Sequence, residues 1–418
     1  MTKTEHFASG LADLPPDAFR GAHVLIYSHD TFGLGHLRRC REIANALVEA
    51  YRGISVLIIS GAAVAGAFDY RVRVDFVKIP SVIKLRNGEY TSMSEHISLE
   101  DTLHMRKSII KHTAEIFQPD IFITDKEPVG LRGEVEETLA MLKARGTHLV
   151  LGLRDVMDAP HLLELEWEDR DSMAKIERYY DTVWVYGPEG FNDPLAGLDV
   201  PATVSARLRY TGFLERTARE RDPEQSEIGE GDYILVTTGG GGDGAELIDQ
   251  VLSAYEGDPK LTMRAVVVLG PYLPAKDRDD FMARASDLPL VTMIEFDNRM
   301  EDLVAGARAV VGMGGYNTFC EILSFDKPSL IVPRTEPRQE QLIRAERAAQ
   351  LGLVTMLLPD EAGNRERLAD VLRELPDAPS PSASGSDALR LDGLNRIVED
   401  VGQWLLARSG PELAAAQG

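Results

Sequence analysis

The sequence predicts an α/β protein of two Rossmann-like, doubly wound parallel-sheet domains that face a cleft. Short β-branched runs alternate with longer amphipathic stretches, and this pattern starts twice within the 418 residues. The short runs are continuously apolar, which is typical of strands whose two faces are both covered by helices. Strand–helix–strand alternation favours parallel sheets, and the length suits two domains of ordinary size.

Six candidate strands define the first domain, which we predict to span residues 1–215. They are HVLIYS, SVLIIS, VDFVKI, DIFITD, HLVLGLR and DTVWVYG, beginning at His23, Ser55, Val74, Asp120, His148 and Asp181. Amphipathic stretches such as RRCREIANALVEAY separate several of these strands. The polar segment ERTARERDPEQSEIGEGD lacks apolar periodicity and therefore predicts a linker.

The second domain is predicted over residues 231–378. It begins with the strand DYILVTT, a glycine-rich turn and the helix AELIDQVLSAY, and continues with the strands MRAVVVLG, LVTMIEF, ARAVVGM and PSLIVP. A Pro/Ser/Gly segment near residue 380 predicts a loop. The last periodic stretch predicts a helix over 386–408.

Composition and charge limit the classes of function. The formal net charge of −22 repels phosphate backbones and argues against a nucleic-acid partner. The two cysteines, Cys40 and Cys320, lie in different predicted domains and suggest no disulfide framework. The N-terminus does not resemble a signal peptide, and the longest apolar runs are too short to span a bilayer. We therefore expect a cytoplasmic protein whose membrane association is at most peripheral, at the inner face.

The segment after the first strand, SHDTFGLGHLRR, is the first candidate site, because ligands of open α/β sheets bind at the carboxyl ends of strands. Gly33 and Gly35 allow a tight turn, and His36 begins a helix, where backbone N–H groups favour an anion. Imidazole titrates near neutral pH, so His36 is either a general base or merely a polar or capping residue. Arg38 holds a phosphate or carboxylate, or is a solvated helix charge.

A dinucleotide site is the rival interpretation of this segment. Arg38 stands where the third glycine of that fingerprint belongs, and the second strand ends in Ser60-Gly61 without a carboxylate for a ribose. Both departures argue against NAD or FAD.

Two glycine-rich turns open the candidate site of the second domain. Gly239, Gly240 and Gly241 lie between a strand and a helix and suit a diphosphate, although such a turn can be purely structural. No Gly-Lys-Ser/Thr ends this turn, so it is not a P-loop.

The second turn, at 312–315, precedes a helix that Asn317 and Thr318 can cap. Glu321, one turn on, either closes a capping box or accepts hydrogen bonds from ribose hydroxyls. The next strand ends at Arg334 and is followed by a helix with Gln339 and Gln341.

Taken together, these segments resemble the MurG-like nucleotide-sugar glycosyltransferases of family 28, which have the GT-B fold. The matching residues are Gly33-Leu34-Gly35-His36 and then Gly314, Gly315, Thr318, Glu321, Pro328, Pro333 and Gln341. The family's Asn-Ala in the helix of Gln341 is Arg344-Ala345 here, and GLGHLRRC is also similar to MurG-like UDP-sugar hydrolases.

The resemblance implies roles for these residues. Glu321 would bind the donor ribose, and Gln341 the sugar hydroxyls. The turn from Phe296 to Met300 would contact uracil, and the terminal helix would cross back onto the first domain. Residues placed just after strand ends add to this set, so the full predicted donor site is Gly239, Gly240, Gly241, Phe296, Met300, Gly314, Gly315, Asn317, Thr318, Glu321, Arg334, Gln339 and Gln341. His36 and Asp125 would be catalytic, and Gly33, Gly35, Arg38 and Arg154 would serve the acceptor or a phosphate.

We therefore expect a glycosyltransferase that uses a UDP-sugar as substrate, with no cofactor and no metal, because the chain shows no convincing His/Cys ligand set. The acceptor would be a sugar, a lipid-linked molecule or a small molecule. One alternative is a nucleotide-sugar hydrolase or epimerase with the same site. The other is a non-catalytic protein that binds the nucleotide-sugar. The polar groups at Asp125-Lys126-Glu127 and Arg154-Asp155 either serve the cleft or are surface charges.

Overall fold

The computed structural model describes residues 19–29, 34–84, 90–94, 96–218 and 232–409. Their strands form two parallel sheets and one small hairpin. The predicted linker falls mainly on residues 219–231, outside the described residues, as does Gly33.

The first sheet has seven parallel strands in the order β3-β2-β1-β6-β7-β8-β9. Its strands are β1 (Ala22–Ser28), β2 (Ile54–Ser60), β3 (Val74–Lys78), β6 (Ile121–Asp125), β7 (His148–Arg154), β8 (Thr182–Tyr186) and β9 (Leu208–Tyr210). The hairpin pairs β4 (Val82–Lys84) with β5 (Tyr90–Ser92). The helices are α1 (Gly35–Ala50), α2 (Leu99–Phe117), α3 (Glu136–Ala144), α4 (Pro160–Asp169), α5 (Ser172–Tyr179) and α6 (Ala202–Ser205).

The second sheet has six parallel strands in the order β12-β11-β10-β13-β14-β15. They are β10 (Tyr233–Thr237), β11 (Arg264–Val268), β12 (Val291–Ile294), β13 (Ala309–Gly312), β14 (Ser329–Ile331) and β15 (Thr355–Met356). The helices are α7 (Ala245–Gly257), α8 (Ala275–Ser286), α9 (Met300–Gly306), α10 (Tyr316–Ser324), α11 (Glu340–Gln350), α12 (Pro359–Ala362), α13 (Arg365–Glu374) and α14 (Gly393–Ser409).

The predicted fold class is confirmed, and each predicted strand is present. Central strands such as β8 and β10 are buried along their whole length, as continuous apolar runs require. The hairpin, β9 and β15 were not predicted, because strands of two or three residues outside a longer apolar run carry too little periodicity to stand out.

Strand order determines where a ligand can bind. In the first sheet β1 lies between β2 and β6, and in the second β10 lies between β11 and β13. From each of these central strands the chain first adds strands on one side of the sheet and then on the other. This reversal of strand order opens a crevice at the carboxyl ends of the central strands. His36 follows β1, the turn at Gly239 follows β10, and α10 follows β13.

The two domains share a continuous core around α1. Leu37 and Cys40 of α1 belong to the same apolar cluster as Tyr316, Phe319 and Cys320 of α10. This cluster joins the helix that follows β1 to the helix that follows β13 and packs the two domains against each other.

The terminal helix α14 packs on the first domain. Trp404 stacks on His148 and Trp184, with ring centroids 3.9 and 5.5 Å apart. The sequence predicted that this helix begins at residue 386, but it begins at Gly393. The residues just before it cross between the domains instead, and there the Phe213 N–H donates to Arg390 O at 2.8 Å.

Candidate functional site

A cavity of about 350 Å³ lies between the carboxyl ends of the two sheets. Its first-domain lining includes Leu34, Gly35, His36, Arg38, Arg39, Phe68 and Arg154. Its second-domain lining includes Thr238, Gly239, Gly240, Gly242, Asp243, Val268, Gly270, Tyr272, Phe296, Asp297, Met300, Gly315, Tyr316, Asn317, Thr318, Arg334, Glu340 and Gln341. Most residues predicted for the site are therefore brought to one space.

His36 and Asp125 form a hydrogen-bonded pair on the first-domain side. The distance from His36 Nδ1 to Asp125 Oδ2 is 2.5 Å. His36 is the second residue of α1 and Asp125 ends β6, the strand next to β1, so the fold itself places the two side chains together. The His36 side chain is 19% exposed and that of Asp125 is 1% exposed. The imidazole therefore faces the cavity while the carboxylate lies behind it.

Arg39 completes this group from the next turn of α1. Its Nε donates to Asp125 Oδ1 at 2.9 Å and its Nη2 to Asp125 Oδ2 at 2.6 Å. Burial opposes ionisation of Asp125, but Arg39 and His36 outweigh it and hold the pKa of this carboxyl well below its usual range. Asp125 is thus an anion that accepts from Nδ1–H, which leaves the ring lone pair on His36 Nε2.

A buried histidine, His29, lies beside this pair. His29 ends the run that begins with β1, and its ring centroid is 5.7 Å from that of His36. Burial lowers the pKa of His29 to about 3, with His36, Lys126 and Arg106 adding to the effect and Glu127 opposing it. His29 is therefore neutral at physiological pH.

Arg38 and Glu321 are placed differently from the expectation. Glu321 is fully buried and does not line the cavity. The Arg38 Nη2 group donates to Glu321 Oε1 and, at 2.8 Å, to Glu301 Oε1. The Arg38 guanidinium thus lies between the cavity and Glu321, the residue predicted to bind the ribose. Burial raises the pKa of Glu321 and Arg38 opposes this rise.

The start of α10 presents backbone to the cavity. Gly315 is the N-cap residue, and no side chain among the described residues caps this end. The predicted caps are therefore wrong. Asn317 and Thr318 lie inside the first turn, and Asn317 bridges Arg216 Nη2 (2.8 Å) and Gly35 O (3.0 Å) instead. The alternative capping role of Glu321 is likewise not realised, since that carboxylate meets Arg38. N–H groups of the first turn point where an anion is favoured.

The glycine turn after β10 has the same character. Helix α7 begins at Ala245 after Gly244, again without a side-chain cap among the described residues. Gly241 has φ +84°, and a Cβ there would lie 2.3 Å from Leu269 O. Gly241 is therefore required for close packing of two turns and does not line the cavity, whereas Gly239 and Gly240 do.

Phe296 and Met300 form the apolar end of the cavity. Phe296 meets Phe68 of the first domain edge to face, with ring centroids 6.2 Å apart. Phe68 was not predicted, and no local motif in its stretch of sequence marks it. This end suits a flat ring such as a nucleobase.

The predicted sugar-contacting residues near α11 are partly engaged already. Gln341 lines the cavity, and its Oε1 accepts from the Arg334 backbone N–H at 3.0 Å. The Arg334 guanidinium pairs with Asp243 and with Glu340, at 2.6 Å for the latter. Gln339 does not line the cavity; its backbone N–H donates to Asp158 of the first domain at 2.8 Å. Glu340 is a lining residue that the prediction omitted.

Arg154 lines the cavity without an ion pair among the described residues. Among the described residues its Nε has no hydrogen-bond partner, and its Nη2 donates to Met157 O at 3.3 Å. Burial lowers the pKa of Arg154 to about 10, with Arg344 and Arg39 adding to the effect and Glu340 and Asp155 opposing it. Burial also lowers the pKa of the neighbouring Lys126 to about 8. An anion in the cavity would be favoured beside Arg154.

Arg344, which replaces the family's Asn, points away from the cavity lining. Its Nε and Nη2 donate to the two oxygens of Asp155 at 2.8 and 2.6 Å, across the domain boundary. Gly314 (φ +77°) also lies behind the lining.

The described residues hold no group of three or more His, Cys, Asp or Glu side chains arranged for a metal ion. The two Asp-x-Asp tripeptides, at 169–171 and 277–279, do not line the cavity. No helix of the described chain is long and apolar enough to cross a membrane.

Comparison with known proteins supports the resemblance. Residues 233–401 match the family model of the glycosyltransferase family 28 C-terminal domain. A curated relative is the UDP-N-acetylglucosamine–N-acetylmuramyl-(pentapeptide) pyrophosphoryl-undecaprenol N-acetylglucosamine transferase of Methylorubrum populi, with 25% identity over 219 residues. The match covers 50% of this chain and 59% of that relative, so the chain spans little more than half its length.

Solved structures extend the similarity to both domains. A UDP-glucosyltransferase from Polygonum tinctorium superposes with a TM-score of 0.60 at 14% identity, covering 92% of this chain and 98% of the other. The glycotransferase of kitacinnamycin gives 0.56 at 17% identity, covering 93% and 97%. The whole chain therefore has the GT-B fold, as predicted, and its second domain is similar to the family 28 C-terminal domains.

Proposed function

We propose that this protein is a glycosyltransferase that moves a sugar from a UDP-sugar, held by the second domain, to a hydroxyl group of an acceptor that enters from the first. One observation carries the proposal. An imidazole backed by a buried carboxylate, His36 with Asp125, shares a cavity with the uncapped N-terminus of α10. A base and an anion site that face the same space suit the two ends of a displacement reaction.

The donor would lie along the second domain. Its base would occupy the apolar end at Phe296 and Met300, and its diphosphate would meet the N–H groups of α10 and the turn at Gly239 and Gly240. Backbone amides and the helix dipole would stabilise the charge that develops on the leaving diphosphate, and such electrostatic stabilisation usually contributes most to the rate of reactions of this kind. Gln341 would contact the sugar.

The acceptor would be activated on the first domain. His36 Nε2 would take the proton of the acceptor hydroxyl as its oxygen bonds to the anomeric carbon and the bond from that carbon to the diphosphate breaks. Asp125, itself held in place by Arg39, would fix the ring and its tautomer and would stabilise the imidazolium that forms. Arg154 would receive an anionic group of the acceptor or of the donor.

Donor binding is tested first, by calorimetry and thermal shift with UDP, dTDP, GDP and ADP. A ligand present at 100 times its dissociation constant adds about 2.7 kcal/mol of stability. We expect a clear rise in melting temperature with UDP. If no nucleoside diphosphate binds, the proposal is wrong.

Turnover is tested next, by measuring UDP release from a panel of UDP-hexoses and UDP-N-acetylhexosamines, with and without a library of sugar, lipid-alcohol and phenolic acceptors. We expect release to depend on an acceptor. Rapid release of UDP and free sugar without any acceptor would instead favour the hydrolase alternative, with water activated by the same His36.

A further inference from the structure

Arg38 connects the two domains at the predicted ribose position. Its guanidinium contacts Glu301, the residue after Met300, and Glu321, one turn after Thr318. Met300 belongs to the apolar end of the cavity and Thr318 to the anion end, so Arg38 lies between the places proposed for base and diphosphate. The ribose of a nucleotide joins these two parts.

Arg38 also controls access to Glu321. Arg38 lines the cavity, whereas Glu321 is fully buried behind it. Glu321 Oε2 has no hydrogen-bond partner among the described residues. Moving the Arg38 side chain toward Glu301 alone would open a carboxylate to the cavity, with both of its oxygens able to accept. A vicinal diol has two O–H donors at the right spacing for such a carboxylate.

We propose that Arg38 is a specificity-determining residue that competes with the 2′,3′-diol of a ribonucleotide for the Glu321 carboxylate. This inference rests on the proposed function, because it takes the nucleotide to lie in this cavity. A 2′-deoxyribonucleotide offers one hydroxyl where a ribonucleotide offers two, and so displaces Arg38 less well. Arg38 thereby lowers the affinity for ribonucleotides more than the affinity for their 2′-deoxy counterparts.

Arg216 allows this exchange without leaving Glu321 uncompensated. It is buried beside α10, where its Nη2 donates to Asn317 Oδ1. Its Nε and Nη1 have no partner among the described residues. Its charge, like that of Arg38, opposes the rise that burial causes in the pKa of Glu321. When Arg38 moves, one cation therefore remains close to the carboxylate, which limits the cost of breaking the buried pair.

The test compares calorimetric affinities for UDP and 2′-deoxy-UDP in the full-length protein. Arg38→Met should tighten UDP binding about tenfold, the worth of one hydrogen bond to a charged group. The affinity for 2′-deoxy-UDP should change by less than about twofold, because its single hydroxyl gains little from the opened carboxylate. In a Glu321→Gln background, Arg38→Met should leave the ratio of the two affinities unchanged.

Arg41→Met is the matched control. Arg41 lies on the same helix and its Nη2 is 3.8 Å from Glu301 Oε1, but it makes no ion pair with Glu321 among the described residues. It should leave the affinity ratio unchanged. Glu301→Gln provides a second route if Arg38→Met does not fold. It removes the carboxylate charge that would hold Arg38 after its displacement from Glu321, and should shift the ratio against UDP.

The outcomes separate the two proposals. Wild-type protein that binds no UDP overturns both. If the wild-type protein binds UDP, two results would overturn only this inference. Weaker UDP binding by Arg38→Met would mean that Arg38 holds the nucleotide. An equal change in the affinities for UDP and 2′-deoxy-UDP would mean that Arg38 is merely structural.

Discussion

The two faces of the cavity are built from different parts of the polypeptide. The first domain presents side chains, among them the buried group of His36, Asp125 and Arg39 and the cation of Arg154. The second presents backbone at the two glycine turns and at the uncapped N-terminus of α10, beside side chains such as Phe296 and Gln341. Proton transfer needs a titratable group with a tuned environment, whereas holding a diphosphate needs only oriented amides.

This contrast also divides the cost of building the site. Uncapped helix termini bring partial charges to the cavity without burying a full charge. The first domain instead buries full charges, and each of them needs a partner, as Asp125 has in Arg39. We therefore expect substitutions on the first face to act on catalysis and stability, and substitutions on the second to act on nucleotide affinity.

The most direct test of this division is His36→Ala. Loss of a general base should lower kcat about 10²- to 10⁴-fold, while the affinity for UDP, which depends on the other face, should hardly change. UDP release in the presence of acceptor and calorimetry with UDP measure the two quantities. His161→Ala, at an exposed position outside the cavity lining, is the control. Lost UDP affinity with normal kcat would break the comparison.

The second test concerns the contact that holds the faces together. Arg344 and Asp155 form a two-pronged pair across the domain boundary, with side chains 0% and 1% exposed. Arg344→Met leaves a buried carboxylate without its cation and should lower the free energy of unfolding by about 3–5 kcal/mol. Urea denaturation measures this. Arg71→Met removes an exposed pair with Glu49 and should cost about 0–1 kcal/mol. Equal losses would show that the buried pair is not special.

Much of the first face followed from the sequence. His36 and Asp125 stand at the ends of neighbouring parallel strands, and the carboxyl ends of such strands meet at one edge of a sheet. The alternation of apolar runs and amphipathic stretches was also sufficient to predict both sheets. Local sequence pattern was sufficient to predict the proximity of residues wherever the parallel-sheet topology itself brings them together.

Pairings across the domain boundary did not follow. Nothing in the stretch around Glu321 shows that its carboxylate meets Arg38, 283 positions away in the chain. The capping roles of Asn317 and Thr318 were wrong for the same reason, because Asn317 is engaged by Arg216 and Gly35. Local propensity describes one helix end, whereas a distant arginine competes for the same side chain.

The third test measures how pH changes the free energy of unfolding through His29, a buried titratable group of the first domain. Burial lowers the pKa of His29 to about 3, whereas in the unfolded chain it is about 6.5. Below pH 6.5 the unfolded chain takes up a proton that the folded chain does not, so stability falls with pH until about pH 3. At pH 5 this costs about 2 kcal/mol.

His29→Gln should therefore reduce the loss of stability between pH 7.5 and pH 5 by about 2 kcal/mol, as measured by urea denaturation at both values. At pH 7.5 His29 is neutral in both states, so the measurement there isolates the effect of the substitution itself. An unchanged pH dependence would mean that His29 takes up its proton in the folded protein.

The smallest effect is expected on the second face, at Gly315. Its φ is −58°, and an added Cβ would meet no protein atom within 4 Å. Gly315→Ala should therefore leave the melting temperature unchanged or slightly raised. The methyl group would project into open space at the start of α10, where we place the diphosphate, and should weaken UDP binding about tenfold.

Gly314→Ala is the contrasting variant. Gly314 has φ +77°, and a Cβ there would lie 2.8 Å from Ile331 Cγ2, so this variant should lose stability. Normal UDP affinity in a fully folded Gly315→Ala protein would show that phosphate does not approach these amides, and the second face would then need side chains to bind its ligand, as the first does.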